Sequence, residues 1–200
     1  RYNEILDESK KGLEVLKQLG ALTIFYRCNH FGASKFDTLP ADLKKIIFQG
    51  YIELTLFEAV VESLIDIKKT TPDLVCNDKD FINEIHKSIR VDSLNHIDNL
   101  NDLQEWIFEN RVLIDKSLNK FVFIKNTNIF ESIILIDNLF SFIKSAINVW
   151  SSDLSEFPLV FLIAEFENLD TSYQSIFNNF VRMANSFVSF RIATRPNGVR

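Results

Sequence analysis

Two charged side chains stand at the ends of apolar runs. Glu165 follows Leu159-Val160-Phe161-Leu162-Ile163-Ala164, and Arg195 follows a run from Phe187 to Thr194. Continuous apolar runs joined by one helix suggest parallel strands covered on both faces, because a half-exposed strand would alternate. Ligands of such sheets bind outside the carboxyl ends of the strands, and both charges fall there. A carboxylate at the end of a buried strand sits where burial and neighbours can tune its pKa. A guanidinium offers planar, paired donors to phosphate oxygens. An acid and a guanidinium on one rim are therefore suited to polarising a water and holding an anion.

Other chemistries find little support. Cys28 and Cys76 have no CxxC neighbour, which argues against a redox motif or a zinc site and for two thiols in a reducing cytosol, hence a cytoplasmic protein. His30, His86 and His96 lie in separate segments with no HxxxH spacing, and no serine sits in a GxSxG elbow. The net charge of −5 gives no bulk attraction to nucleic acid or acidic membranes. The most apolar segment, residues 129–150, carries Glu131, Asp137 and Lys144 and fails as a membrane span, so no membrane partner is expected. No GxxxxGK[ST] occurs, and the five glycines (12, 20, 32, 50 and 198) do not form one.

The elements that must position the two charges read as follows. Residues 2–19 carry Leu6, Leu13, Leu16 and Leu19 at helical spacing, with Gly20 as a C-cap. Residues 22–28 are β-branched and aromatic, a strand, and 29–39 form a loop at its end. Thr38 and Pro40 start a long helix to about Lys68, stopped by Thr70-Thr71-Pro72. Asp78 or Asp80 caps a short helix over 81–89, and 91–97 form a loop. Asp98 or Asn99 opens a helix through Leu118. Residues 121–124 fit a short strand or a buried helix end equally well. Asn128 is expected to cap one helix over 129–150. After a connector come the strand 158–163, an acidic turn, a helix over 171–186, the strand 187–194 and the turn Arg195-Pro196-Asn197-Gly198. Three strands and about six helices result. The roughly 130 residues between the first two strands far exceed the dozen or so that a crossover needs, so either a helical insertion or a bundle beside a small sheet lies between them.

The strand, acidic turn, helix and strand ending Ile192-Ala193-Thr194-Arg195 resemble the second half of a P-loop ATPase core of the AAA+ and STAND kind. The turn Glu165-Phe166-Glu167-Asn168-Leu169 is most similar to bacterial AAA+ ATPases related to the origin-recognition clade. The resemblance is sharpest over 158–198 and extends weakly to 21–28. It implies an α/β fold: a three-layer parallel-sheet P-loop NTPase core, truncated at its N-terminus, with a large helical insertion. Within one partial domain, residues 1–28 would be helix plus strand, 38–150 the mostly helical insertion, and 158–198 the Walker B strand, helix and sensor strand. The phosphate loop would lie just upstream of Arg1, since the chain's single methionine is Met183 and it reads as an internal fragment.

The same resemblance assigns roles. Glu165 would be the Walker B glutamate that polarises the attacking water, Arg195 the γ-phosphate sensor, and Thr194 and Asn168 further nucleotide contacts. The family's magnesium-binding Asp falls at Ala164, which cannot bind a metal. An engineered change, a natural inactive relative, or a slipped register would each account for this. In the slipped register Glu165 takes the Asp role and Glu167 acts as base, two residues that an extended segment would place on one face. ATP and Mg2+ are implied for the intact protein and none for this chain alone. The implied function is an ATP-driven switch or assembly ATPase, with a homo-oligomer or partner protein, and with nucleic acid by family analogy only. Two alternatives stand beside it: a catalytically inactive scaffold of the same fold, and a helical protein-interaction module in which the strands 158–163 and 187–194 would not be adjacent and parallel.

Overall fold

A computed structural model describes residues 12–89, 92–136, 138–183 and 187–194. Helix α1 (Gly12–Leu19) leads through Gly20, held at φ 66°, into strand β1 (Leu22–Arg27). Helices α2 (Ala41–Thr70), α3 (Asp78–Ile89), α4 (Leu100–Ile124) and α5 (Leu139–Trp150) follow. The chain then forms strand β2 (Leu159–Ala164), helix α6 (Thr171–Met183) and strand β3 (Val188–Ala193). The part of the predicted first helix before Gly12 lies outside the described residues.

The three strands form one parallel sheet in the order β1-β2-β3, so the strands read as 158–163 and 187–194 are neighbours and run the same way. That arrangement is the opposite of what the interaction-module reading required. The register pairs Ile24 with Phe161 and Phe161 with Phe190. These residues share the face that meets the helices, where Phe161 stacks on Phe190 at 5.1 Å and Phe140 meets both edge-on. Phe177 and Phe180 of α6 complete the layer.

Coverage of both faces was expected, and the other face differs. Val160 is buried there, but Phe25 is 53% exposed and Arg27, Arg191 and Ala193 face solvent. Thr23, Phe25 and Arg27 on β1, and Ser189 and Arg191 on β3, give this face the polar alternation of a half-exposed sheet. Among the described residues the fold is mostly helical with a small parallel sheet, compatible with the α/β class.

Local sequence explains where the helices depart from expectation. The long helix begins at Ala41 with Pro40 as N-cap and no side-chain cap, so Thr38 does not cap it. Asn77, not Asp78 or Asp80, caps α3: its Oδ1 accepts from Lys79 N at 3.1 Å, and its amide donates to Asp80 at 2.7 Å. Asp78 is thereby free to accept from Lys68, the Trp150 indole and Leu100 N at 2.8–3.3 Å, which ties α2, α5 and α4 to the start of α3. Burial pushes this carboxyl up, but those donors outweigh it and hold its pKa below the usual range. Asn99 caps α4, whose helical turns continue through Ile124.

The single helix expected over 129–150 is instead a 3-10 turn (Thr127–Phe130), a non-helical stretch and the helix α5. The isoleucines at 133, 134 and 136 are β-branched and favour the non-helical course. Asn138 at φ 60° then turns the chain, and the buried Glu53 accepts from Leu139 N at 2.9 Å, capping α5 from across the core. Leu135 crosses α2 at Gly50, where an added Cβ would lie 2.5 Å from the Leu135 side chain.

Two tests follow from this packing. Gly50→Ala adds helix propensity, but it overpacks the crossing and should destabilise by about 1–2 kcal/mol; Leu135→Ala in the same chain should recover part of that loss in a urea titration. No recovery would mean the crossing is not the constraint. Lys144 is buried, donates to Leu154 O at 2.8 Å, and is pushed down by burial to about 8. Its folded pKa is below the unfolded one, so the unfolded state binds more protons between pH 8 and the ordinary lysine range, and stability rises with pH there. The stability of the native chain minus that of Lys144→Met should therefore increase as pH rises through that window. A pH-independent difference would contradict the buried ammonium.

Candidate functional site

The carboxyl ends of the strands are fixed by the ladder. Arg27, Ala164 and Ala193 form its last paired rung. The residues that follow are Cys28, Glu165 and Thr194, so the sheet brings Glu165 and Thr194 to the same rim. Thr194 is half-buried directly after β3. Arg195 lies outside the described residues. Ala164 closes β2 and offers no ligand atom.

Glu165 does not continue the strand. Its φ is 60°, a left-handed conformation costly for a side-chain-bearing residue, and it starts the 3-10 turn Phe166–Asn168. Asn168 closes that turn: its N–H donates to Glu165 O at 3.0 Å, and its amide donates to Glu165 Oε2 at 3.5 Å. Gln174 of α6 donates to Leu169 O at 2.8 Å and holds the end of the loop. Glu165 and Asn168 are thus brought together. The extended geometry that would put Glu165 and Glu167 on one face is absent, so the slipped-register explanation for Ala164 loses its geometric basis.

Arg27, which the sequence reading did not single out, is the cation beside Glu165, with Nε 4.0 Å from Oε1. The sequence offered only its place near the end of the predicted strand 22–28; its pairing with Glu165 follows from the β1–β2 register. The pair is partly exposed, with side-chain accessibilities of 53% and 27%, so its restraint on Glu165 is weak. Cys28 beside it is buried, and its thiol is pushed up to about 12, first by burial and then by the nearby Glu167 and Glu165. It is a packed thiol, not a nucleophile.

Next to this rim a cavity of about 230 Å³ opens between the β1 loop and the acidic turn, lined by Asn29, Gly32, Ser34, Asn168, Asp170 and Tyr173 among others. Tyr173 forms its wall and donates to Asp37 Oδ1 at 2.6 Å; burial and that bond raise its phenol above the ordinary range. Gly32, at φ 57°, lets the loop turn between two 3-10 segments. Among the described residues no group of three or more His, Cys, Asp or Glu could hold a metal ion. With Ala164 in the rung and Arg27 beside Glu165, this rim does not fit a resident magnesium ion.

A family model described as ORC-CDC6-like matches residues 1–200. No curated protein matches the chain. No solved structure matches it either.

The left-handed turn at Glu165 can be tested by itself. Glu165→Gly should raise stability by roughly 1 kcal/mol, since glycine adopts that conformation without strain. A loss of stability in thermal unfolding would show that the Arg27 and Asn168 contacts outweigh the strain.

Proposed function

The chain belongs to the ORC-CDC6-like family of AAA+-related ATPases, and from that premise we propose that it is the Walker B and sensor part of an ATP-binding and ATP-hydrolysing switch or assembly ATPase. The observation that carries this reading is the shared rim: parallel neighbours β2 and β3 deliver Glu165 and Thr194 side by side at the end of the sheet where α/β ligands bind. On this reading Glu165 accepts the proton of an attacking water, Asn168 holds its carboxylate, and Thr194 and Arg195 contact phosphate oxygens. Arg27 restrains Glu165 until a ligand competes for the guanidinium. The 200 residues contain no glycine-rich Lys-Ser or Lys-Thr loop, so they are not expected to bind nucleotide tightly alone. Assembly into a homo-oligomer is the family's expectation, and contact with nucleic acid rests on family analogy alone.

Ala164 favours a second reading, an inactive relative that keeps the fold as a scaffold. One experiment separates the two in the full-length protein. On the ATPase reading Glu165→Gln lowers steady-state ATP hydrolysis at least about a hundredfold while nucleotide binding persists, and Ala164→Asp raises the native rate. Hydrolysis that is absent from the native protein and not restored by Ala164→Asp leaves the scaffold; hydrolysis indifferent to Glu165→Gln removes this rim from the reaction.

A further inference from the structure

We propose that the C-terminal end of α4 docks the protein on an anionic phospholipid surface. Val122, Phe123 and Ile124 are consecutive and 43%, 87% and 52% exposed. Phe121, one residue earlier, is buried against Phe130 at 5.7 Å, so the helix is anchored while its last three side chains project. At 100° per residue those three sweep about 200° around the axis. That makes an apolar last turn, followed directly by the exposed Lys125, Asn126, Thr127 and Asn128, and not one face of a helix awaiting a groove. A contiguous exposed apolar tip marks an interaction site.

The charge around that turn selects the partner. Lys116 and Lys120 precede Phe123 and Ile124 at helical spacings and share their face of α4. No carboxylate occurs from Lys116 to Phe130, and Asp115 is engaged by Lys35 at 2.6 Å. Both lysines open onto a cavity of about 410 Å³ together with Asn128, Ser132 and one acid, Glu131. At 1.5 Å per residue the two ammonium groups start roughly 5 and 10 Å behind Phe123, comparable to the depth at which interfacial helices bury their apolar side chains. An apolar tip with a cationic collar one headgroup behind it matches the order of acyl chain and phosphate in an anionic lipid. The net charge of −5 makes the attraction local, acting within about a Debye length of the collar. This is peripheral docking: among the described residues no helix is long and apolar enough to cross a membrane.

Flotation of the full-length protein with vesicles tests it. Binding to equal parts phosphatidylcholine and phosphatidylglycerol should exceed binding to phosphatidylcholine alone by more than about tenfold, and fall with salt. Phe123→Ser and the pair Lys116→Glu, Lys120→Glu should each reduce it about tenfold or more with the far-ultraviolet circular dichroism unchanged, since these side chains are exposed. Phe123→Trp should show a blue-shifted emission with anionic vesicles only. Equal or absent binding to the two vesicles overturns the proposal. So does binding of soluble poly-glutamate that depends on Phe123 while vesicles do not bind, which would assign the tip to an acidic protein partner.

Discussion

The stacking of Phe161 on Phe190, under Phe140 and Phe177, is the contact on which the functional rim depends. Side chains alternate along a strand, so a one-residue slip between β2 and β3 would bring Ser189 or Arg191 opposite Phe161. Each phenylalanine contributes roughly 1.5–3 kcal/mol by burial, and an aromatic pair about 0.5–1.5 more. A slip would therefore forfeit several kcal/mol in a fold whose whole margin is typically about 5–15. The rim inherits this precision without contributing to it. Glu165 and Thr194 share a level because the aromatic layer some residues earlier permits only one register.

The helices gather on the aromatic face of the sheet for a topological reason. Parallel neighbours are joined by right-handed crossovers, and two successive ones in the same direction lay their helices on the same side. The first crossover is unusually long, and two carboxylates organise it, Glu53 fully buried and Asp78 partly so. Glu53 caps α5 from within α2, and Asp78 gathers donors from α2, α4 and α5. Both acids sit at helix N-termini, where the backbone dipole favours a negative charge. Arg111 adds a link between α4 and α2 through Glu58 and the Tyr51 hydroxyl. The long connection is thus a packed helical block whose helices are tied to one another at these carboxylates.

What could be read from the sequence followed the strength of local signals. The run 159–163 was legible because an uninterrupted apolar stretch bounded by turns has few other uses, and 187–194 because β-branched and aromatic residues recur through it despite Ser189 and Arg191. Asn99 was legible as one of two possible caps because it directly precedes a helical pattern. The break before α5 was not: Ile133 to Ile136 is apolar enough to pass for buried helix, and what breaks it is a crossing at Gly50, distant in sequence. At the rim, the apolar pattern ends before Glu165, and nothing local declares a left-handed turn there. Arg27 as its neighbour appears only once β1 and β2 are known to pair. Coverage of the second face failed as an expectation because Phe25 and Leu162 look like core residues, yet they share that face with Arg27 and Arg191.

The pairing of Arg27 with Glu165 bears on what the rim can do. At 4.0 Å and partly exposed, such a pair is worth about 0–1 kcal/mol. A phosphate reaching Arg27 offers paired oxygens to the guanidinium and would compete with Glu165 for it. Glu165 would then lose its counter-charge while keeping its orientation, which the left-handed backbone and Asn168 fix independently of Arg27. The backbone turn at Glu165 is thus independent of the ion pair, and only the charge beside its carboxylate changes when Arg27 is drawn away.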